Sequence, residues 1–469
     1  MRTLTFAVPI LLASAASIAF AQQDDLMNED FEKAGGNIPA GWKAVSGKWK
    51  IESGRLVADA LDGEAYIRAG DEGWTDYEMS ADAVFLKVKE PSRWLSLIFR
   101  ASADGREPWS QFAVRQQASK DSGVEFAVRI AGGGWSVRAP DKAAADCRIG
   151  EPRRLRIAVR GQKVEAFLDD KPLFESWFCV DRSNGCVGLG ASGCLAAFDN
   201  VKVKRLPPGQ PAQKPADNPG RCECVAHRGF SALAPENTLI SVVKGMEAGA
   251  DGCEFDVYLS KDGVPVLMHD DKLDRTTNGK GSIHSYTAEE LGKVDAGSWK
   301  GAQYKGEPVP KLVDVLRAMK GKGVTAVIEI KQDGMAKEVM DALSETGMMD
   351  NAAIISFKDK ALFDINKLGG KMPRGFLLGE KLSGTTAQQA DYLVIRAKAC
   401  GANVLDLNYR MLNPELVAEL QKRGYPVWCW TVDEEPVMKA LAEWGVDSVT
   451  TNRPDALVAL RKRMGGAKP

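Results

Sequence analysis

The chain has 469 residues, 44% of them hydrophobic and 27% charged, with 62 basic side chains against 63 acidic ones and a formal net charge of -1. That length predicts two domains, and the composition is typical of a globular protein. The charge balance gives no electrostatic case for nucleic acid as a partner, so any anion must be recognised at a local site.

The first residues are Met1-Arg2-Thr3, followed by an apolar run from Phe6 to Phe20 and the small-residue ending Ala19-Phe20-Ala21. A basic start, a short hydrophobic stretch and small residues before the cut predict a signal peptide over 1–21, cleaved after Ala21. The mature chain is then exported, periplasmic or extracellular. The run is short for a membrane anchor and no later segment reaches bilayer length, so no membrane span is expected. Nine cysteines leave at least one thiol without an intrachain partner. None has metal-finger spacing with histidine, and they read as core or disulfide residues.

Between 24 and 205 there is almost no helical periodicity. Short runs recur instead: Trp49 to Ile51, Tyr77 to Phe85, Leu95 to Arg100, Phe112 to Arg115, Val124 to Ile130, Leu155 to Val159 and Val164 to Leu168. Gly, Asp and Ser clusters punctuate them, which predicts an all-β sandwich. The pair Asp169-Asp170 fits a hairpin turn better than a metal site. With its opening Asp30-Phe31, Trp42 and Trp49 and its closing Phe198-Asp199-Asn200-Val201, this half resembles the concanavalin A-like jelly-roll domains. Such domains sometimes bind glycans, so the resemblance admits a glycan partner, although each of Trp42, Trp49, Trp74 and Trp94 is more readily explained as core. No Glu-x-Asp-x-x-Glu strand is present to make a sugar hydrolase.

Residues 206–221 hold Leu206-Pro207-Pro208-Gly209-Gln210-Pro211, Pro215 and Pro219-Gly220. Proline at that density builds no core and predicts a semi-rigid linker. From 222 to 463 apolar runs alternate with helical stretches. Eight parallel strands are expected: Glu223–His227, Cys253–Val257, Thr325–Lys331, Ala352–Ser356, Gly375–Leu378, Asn403–Leu407, Pro426–Trp430 and Asp447–Thr450. Eight in that length predict a (β/α)8 TIM barrel. The run Val264 to Met268 follows the second strand too closely for a parallel crossover and must return as a hairpin.

Chemistry collects where these strands end. His227-Arg228-Gly229, Glu254-x-Asp256, His269-Asp270 and Glu329-x-Lys331 would all meet at the C-terminal rim, where barrel enzymes act. Two imidazoles, three carboxylates and two fixed cations are the parts needed to cleave a phosphate diester. A hairpin turn centred between Lys261 and Asp262 would set Glu254 opposite His269, on the face that Glu254 shares with Asp256. His284, farther along, reads as a structural histidine.

At these residues the chain resembles the glycerophosphodiester phosphodiesterase family, relatives of phosphatidylinositol-specific phospholipase C. The resemblance also covers Pro235-Glu236-Asn237-Thr238, Leu273-Asp274-Arg275-Thr276-Thr277-Asn278-Gly279, Trp430-Thr431-Val432 and Thr451-Asn452-Arg453-Pro454. It implies one divalent cation, Ca2+ or Mg2+, held by Glu254, Asp256 and Glu329. It implies His227 and His269 as the general acid-base pair, Arg228 and Lys331 on the phosphate, and Glu236 orienting the groups around them. Trp430, ending its strand, is expected to line the substrate pocket. Two departures stand out: Pro310-Lys311-Leu312-Val313-Asp314 where the family often has Pro-Thr-Leu-Glu-Glu, and Asp433 where it often has Asn.

The expected protein is therefore a sandwich followed by a TIM barrel. It would hydrolyse small glycerophosphodiesters to glycerol 3-phosphate and an alcohol. Two alternatives are a phospholipase D-type hydrolase of lysophospholipids or sphingolipids, which needs an apolar wall at the site, and a surface-glycan-binding protein.

Overall fold

The computed structural model describes residues 25–118, 123–130, 134–141, 147–177, 182–207, 222–380 and 382–465. The expected signal segment and all of the linker beyond Pro207 and before Cys222 lie outside them.

The first half is built from strands. β1 (Asp25–Glu29), β2 (Trp42–Ser46), β3 (Lys48–Glu52), β4 (Arg55–Asp59) and β5 (Glu64–Ala69) come first. β6 (Tyr77–Val88), β7 (Trp94–Ala101), β8 (Trp109–Arg115), β9 (Val124–Arg129) and β10 (Trp135–Asp141) follow, and then β11 (Arg153–Arg160), β12 (Lys163–Leu168), β13 (Lys171–Trp177), β14 (Cys186–Ser192) and β15 (Cys194–Arg205). One antiparallel sheet runs β13-β12-β11-β6-β15-β4-β3, with β1 added on β15. The other runs β10-β9-β8-β7-β14-β5-β2. Inward residues of both, among them Leu56, Ile67, Leu97, Phe112, Ile157 and Phe198, form one buried core. Alternation made the long strands predictable, whereas β1, β2, β4, β5, β10 and β13 were not expected. The Asp169-Asp170 pair is the two-residue turn between β12 and β13, with φ of 51° and 61°, the left-handed pair that hairpin twist favours.

The second half alternates strand and helix. It runs β16 (Glu223–Ala226), α1 (Leu239–Glu247), β17 (Gly252–Leu259), β18 (Pro265–Leu267), α2 (Ala288–Leu291), α3 (Leu312–Met319), β19 (Thr325–Ile330), α4 (Ala336–Thr346), β20 (Ala352–Ser356) and α5 (Asp359–Lys367). It continues with β21 (Arg374–Leu378), α6 (Thr386–Cys400), β22 (Val404–Asn408), α7 (Pro414–Lys422), β23 (Val427–Trp430), α8 (Glu435–Glu443), β24 (Ser448–Thr451) and α9 (Pro454–Arg463). Eight parallel strands pair in the order β16-β24-β23-β22-β21-β20-β19-β17, and β16 pairing with β17 closes the barrel. Each expected parallel strand is present to within a residue or two. Their outward residues pack under the helices, while Val225, Val327, Ala353, Ile355 and Leu377 plug the inside.

The hairpin is present, since β18 pairs antiparallel with β17, but its register differs from the expected one. Val257 lies opposite Leu267 and Tyr258 opposite Val266, a slip of one residue. The Ser260 N–H donates to Val264 O and the Gly263 N–H to Ser260 O, so the turn is one residue wider than expected. In this register Glu254 and His269 are not cross-strand partners. His269 reaches the rim because β18 ends at Leu267 and the chain then leaves the sheet.

Residues between β18 and α3 form an insert with its own small core of Leu273, Ile283, Leu291 and Val309 on Val266 and Met268. His284 is structural, as expected: its Nδ1 lies 2.8 Å from Leu259 O and its ring packs edge-on against Tyr258. The described cysteines are buried, and no disulfide joins any two of them. Burial pushes the Cys222 and Cys253 thiols up to about 12, which suits packing and not chemistry.

Candidate active site

The site begins with the period of two along β17 and β19. Phe255 and Val257 point out into the helix layer, so Glu254 and Asp256 point into the barrel. Parallel register sets Asp256 beside Glu329 on β19. The three carboxylates are buried, and one oxygen from each lies within 4.8 Å of the others. Burial, then repulsion from Asp256 and Glu329, pushes Glu254 well above the usual carboxylate range. Burial, then repulsion from Asp256, brings Glu329 up to about 7. Burial alone would raise Asp256 too, but the charges of Lys331 and Arg228 outweigh it and hold it below its ordinary value. Lys331 Nζ stands 3.2 Å from Asp256 Oδ1 and 2.8 Å from Glu329 Oε1. Crowded acidic oxygens with one lysine among them are an arrangement that a hard divalent cation would relieve. With no sulfur and no imidazole in the trio, calcium or magnesium fits the donors better than zinc.

The loop after β16 carries His227, Arg228 and Gly229. Arg228 has a φ of 53°, an unusual conformation for a side chain of that size. It is held by its N–H, which donates to Glu254 Oε2 at 2.9 Å. Gly229 must be glycine here, since its φ is 77° and a Cβ would come within 2.3 Å of the Ser241 backbone on α1. The Arg228 guanidinium donates to Glu236 Oε1 at 2.7 Å and lies 3.4 Å from Asp256 Oδ2. Asn237 completes this side, donating from Nδ2 to Asp256 Oδ2 and accepting the Asp256 N–H.

Each imidazole is oriented through Nδ1. That of His227 lies 2.7 Å from Asn452 Oδ1. The Asn452 amide has no freedom to turn, because its Nδ2 donates to Asp433 Oδ2 at 2.7 Å and Ser231 Oγ donates to its oxygen. An amide oxygen only accepts, so His227 carries its proton on Nδ1 and leaves Nε2 free, 3.9 Å from Glu254 Oε2. Burial, reinforced by the Arg228 charge, lowers His227 to about 4 and keeps it neutral. His269 Nδ1 lies 2.6 Å from Asp270 Oδ1, and Asp270 Oδ2 accepts from Arg275 Nε at 2.6 Å. The hydrogen bond from Arg275, aided by His269, brings Asp270 down to about 2.

Both histidines line one pocket of about 220 Å³ together with Arg228, Glu254, Glu329 and Lys331. Its other wall is Ile355, Phe357, Leu377 and Trp430. Trp430 donates from its indole to Asp406 O at 3.1 Å and meets Phe357 edge-on at 5.4 Å. Glu236 does not line the pocket. Its oxygens are taken by Arg228 and by Arg275, which donates to it at 2.8 and 3.0 Å. Asp256 lies under Lys331 and Arg228, behind the lining.

Several residues at the site were not singled out from sequence. Asn237, Arg275 and Asn452 stand inside recognised motifs, but their partners are distant in the chain; Asn452 is 225 positions from His227. Asp433, the departure from the family's frequent Asn, braces Asn452. Asp406, buried and lining the pocket, has no hydrogen-bond partner for Oδ1. Burial pushes its carboxyl well above the usual range. Phe357, 46% exposed at the rim, belongs to no motif.

The model of the Glycerophosphoryl diester phosphodiesterase family matches residues 227–456. The sequence is 34% identical over 246 residues to a glycerophosphodiester phosphodiesterase of Caldanaerobacter subterraneus, covering 51% of this chain and 98% of that one. It is 34% identical over 263 residues to a glycerophosphodiester phosphodiesterase of Bacillus subtilis, covering 52% and 88%. Among solved structures it is similar to an Oleispira antarctica phosphodiesterase in complex with the product sn-glycerol-3-phosphate. That likeness has 30% identity and a TM-score of 0.46, over 51% of this chain and 96% of that chain.

Proposed function

The chain belongs to the glycerophosphoryl diester phosphodiesterase family, and we propose that it hydrolyses glycerophosphodiesters to glycerol 3-phosphate and an alcohol by acid-base catalysis between His227 and His269. One observation carries the reading: two imidazoles with their Nδ1 atoms engaged share a small pocket with two cations and with Glu254 and Glu329, two members of a buried carboxylate trio completed by Asp256 behind them. His227, neutral with Nε2 free, accepts the proton of the attacking oxygen. His269, held by Asp270, delivers a proton to the departing alkoxide. Glu254, Asp256 and Glu329 would hold a divalent ion, which when bound supplies positive charge to the phosphoryl oxygens. Lys331 and Arg228 add fixed positive charge on the same side.

Turnover of a glycerophosphodiester by His227→Ala and His269→Ala variants tests this. Each should lose about a hundredfold or more in kcat with an unchanged melting curve. Full activity in either would remove that residue from the pair. Prolonged chelation should abolish turnover, with recovery on adding calcium or magnesium; a rate indifferent to chelator would reject the carboxylate ion site.

Phe357 favours a second reading, cleavage of lysophospholipids. The wall of Ile355, Phe357, Leu377 and Trp430 would suit an apolar chain beside the diester. The ratio of kcat/KM for lysophosphatidylcholine over glycerophosphocholine separates the two, and Phe357→Ser should lower that ratio if the wall holds a chain. Export, with cleavage after Ala21, and a jelly-roll identity for the sandwich belong to the same proposal. The mass of the mature N-terminus tests the first. Among the described residues no helix is long and apolar enough to cross a membrane.

A further inference from the structure

One acid in the catalytic pocket belongs neither to the histidine pair nor to the carboxylate trio or their bracing. Asp406 sits on β22, where Leu405 and Leu407 point out into the helix layer and so turn Asp406 inward. In the closed strand order β22 is four places from β17 in either direction, so Asp406 stands across the barrel from Glu254. It is 1% exposed, yet it lines the pocket with both histidines. Its backbone is held by the Trp430 indole, which donates to Asp406 O at 3.1 Å. On the neighbouring strand Gly375 puts no side chain into the space beside it, where a Cβ would stand 3.4 Å from Asp406 Cβ.

A carboxyl in that position destabilises the fold unless something meets it. Its Oδ1 is buried and has no hydrogen-bond partner among the described residues. Burial, then the negative charge of Glu329, pushes the carboxyl well above the usual range. Buried polar atoms without partners are rare in folded proteins, and each calls for a reason. Leucine would fill the same space and leave nothing unpaired. Asp406 is thus poorly explained as part of the barrel core and well explained as a group that meets a ligand.

The rest of the pocket decides what reaches it. Lys331, Arg228 and the carboxylates would hold the phosphoryl group on the β17 side, so the part of a substrate that crosses to β22 is one of its organic arms. Around Asp406 the far wall is apolar, with Ile355, Leu377 and Trp430. A cationic head group would call for a full negative charge, which apolar neighbours and nearby Glu329 disfavour. An alcohol calls for none, since a hydroxyl both donates and accepts and so does an uncharged carboxyl. The glycerol arm brings hydroxyls in every diester of the class, whatever the other arm is. We propose that Asp406 hydrogen-bonds a hydroxyl of the glycerol arm and makes the pocket selective for phosphate esters of glycerol over those of plain alcohols. This rests on the phosphodiesterase reading of the site.

Calorimetric titration of the full chain, with magnesium present, against sn-glycerol 3-phosphate and against n-propyl phosphate, which lacks both hydroxyls, tests this. Wild type should bind glycerol 3-phosphate about tenfold or more tightly than propyl phosphate, the effect of one hydrogen bond to an otherwise unpaired buried group. Asp406→Leu should remove most of that advantage by weakening glycerol 3-phosphate alone. Its melting temperature should equal or exceed that of wild type, because the unpaired oxygen is gone. Asp406→Asn still donates and accepts, and should keep the ratio within about threefold of wild type. Failure of glycerol 3-phosphate to bind, equal affinity of wild type for the two esters, or equal weakening of both by Asp406→Leu would each overturn the proposal. So would a ratio unmoved by Asp406→Leu, the result a cation-binding role predicts. Turnover of glycerophosphocholine by the same samples keeps the two readings apart. Hydrolysis with an unmoved ratio rejects only the role of Asp406, whereas the expected ratios without hydrolysis reject only the reaction.

Discussion

The imidazole of His227 is set by a residue that touches no substrate. Asp433 takes the Asn452 amide N–H2 at 2.7 Å and its backbone N–H at 2.8 Å, so the amide oxygen must face Nδ1. Asn452→Leu removes that acceptor and frees the ring to rotate or change tautomer. We expect kcat to fall by about ten- to a hundredfold, as when an outer partner of a functional histidine is lost, with KM little changed. Steady-state kinetics and a melting curve separate this from unfolding. The counterpart at His269 yields a pH prediction. Asp270, brought down to about 2 from an ordinary 3.8 by Arg275 and His269, stays ionised in the folded state after its unfolded counterpart has begun to protonate. Its contribution to stability is therefore complete above about pH 4 and is lost as pH falls toward 2. The carboxylate is about one-third exposed, so solvent screening keeps that contribution small. Asp270→Asn should flatten the fall of the melting temperature across that window. An identical slope in wild type and variant would show that Asp270 is not depressed.

Among elements, the turn from β16 to α1 is tightly constrained. Gly229 combines a φ of 77° with Ser241 backbone 2.3 Å from where a Cβ would stand, so Gly229→Ala must displace α1 or the His227 loop. A loss of about 2 kcal/mol or more is expected in denaturant titration, together with most of the activity. Unaltered stability would mean that the loop relaxes freely. Glycine in a His-Arg-Gly run was readable in the sequence, and so were the eight barrel strands, because buried parallel strands are continuous apolar runs. Glu254, Asp256 and Glu329 were legible for the same reason, since carboxylates inside such runs have nowhere to point but inward. The hairpin was less so. Its existence followed from a short connection, but its register turned on one residue of turn width, which periodicity does not specify. Brief strands such as β2 and β13 escaped because edge positions have little alternation to read. Asn452, Asp433 and Arg275 escaped because hydrogen bonding between distant segments leaves no local pattern.

Across the whole molecule the two halves have separate cores, one between the sheets and one between barrel and helices. They meet where Trp177 at the end of β13 packs against the barrel core and its ring stands edge-on to Trp444 at 5.0 Å. Every residue lining the catalytic pocket comes from the second half, from His227 to Thr450. The barrel should then work without the sandwich. A fragment of residues 222–465 is expected to fold and to hydrolyse a glycerophosphodiester with kcat within about twofold of the full chain, well under 1 kcal/mol in barrier. Its melting temperature should drop by only a few degrees, since an aromatic pair contributes about 1 kcal/mol and that shifts a domain of this size by about 2–4 °C. Trp444→Ala in the full chain should produce a shift of similar size. A fragment that folds but is inactive would show that the sandwich shapes the rim loops, and one that fails to fold would show that the barrel core is incomplete without the Trp177 contact.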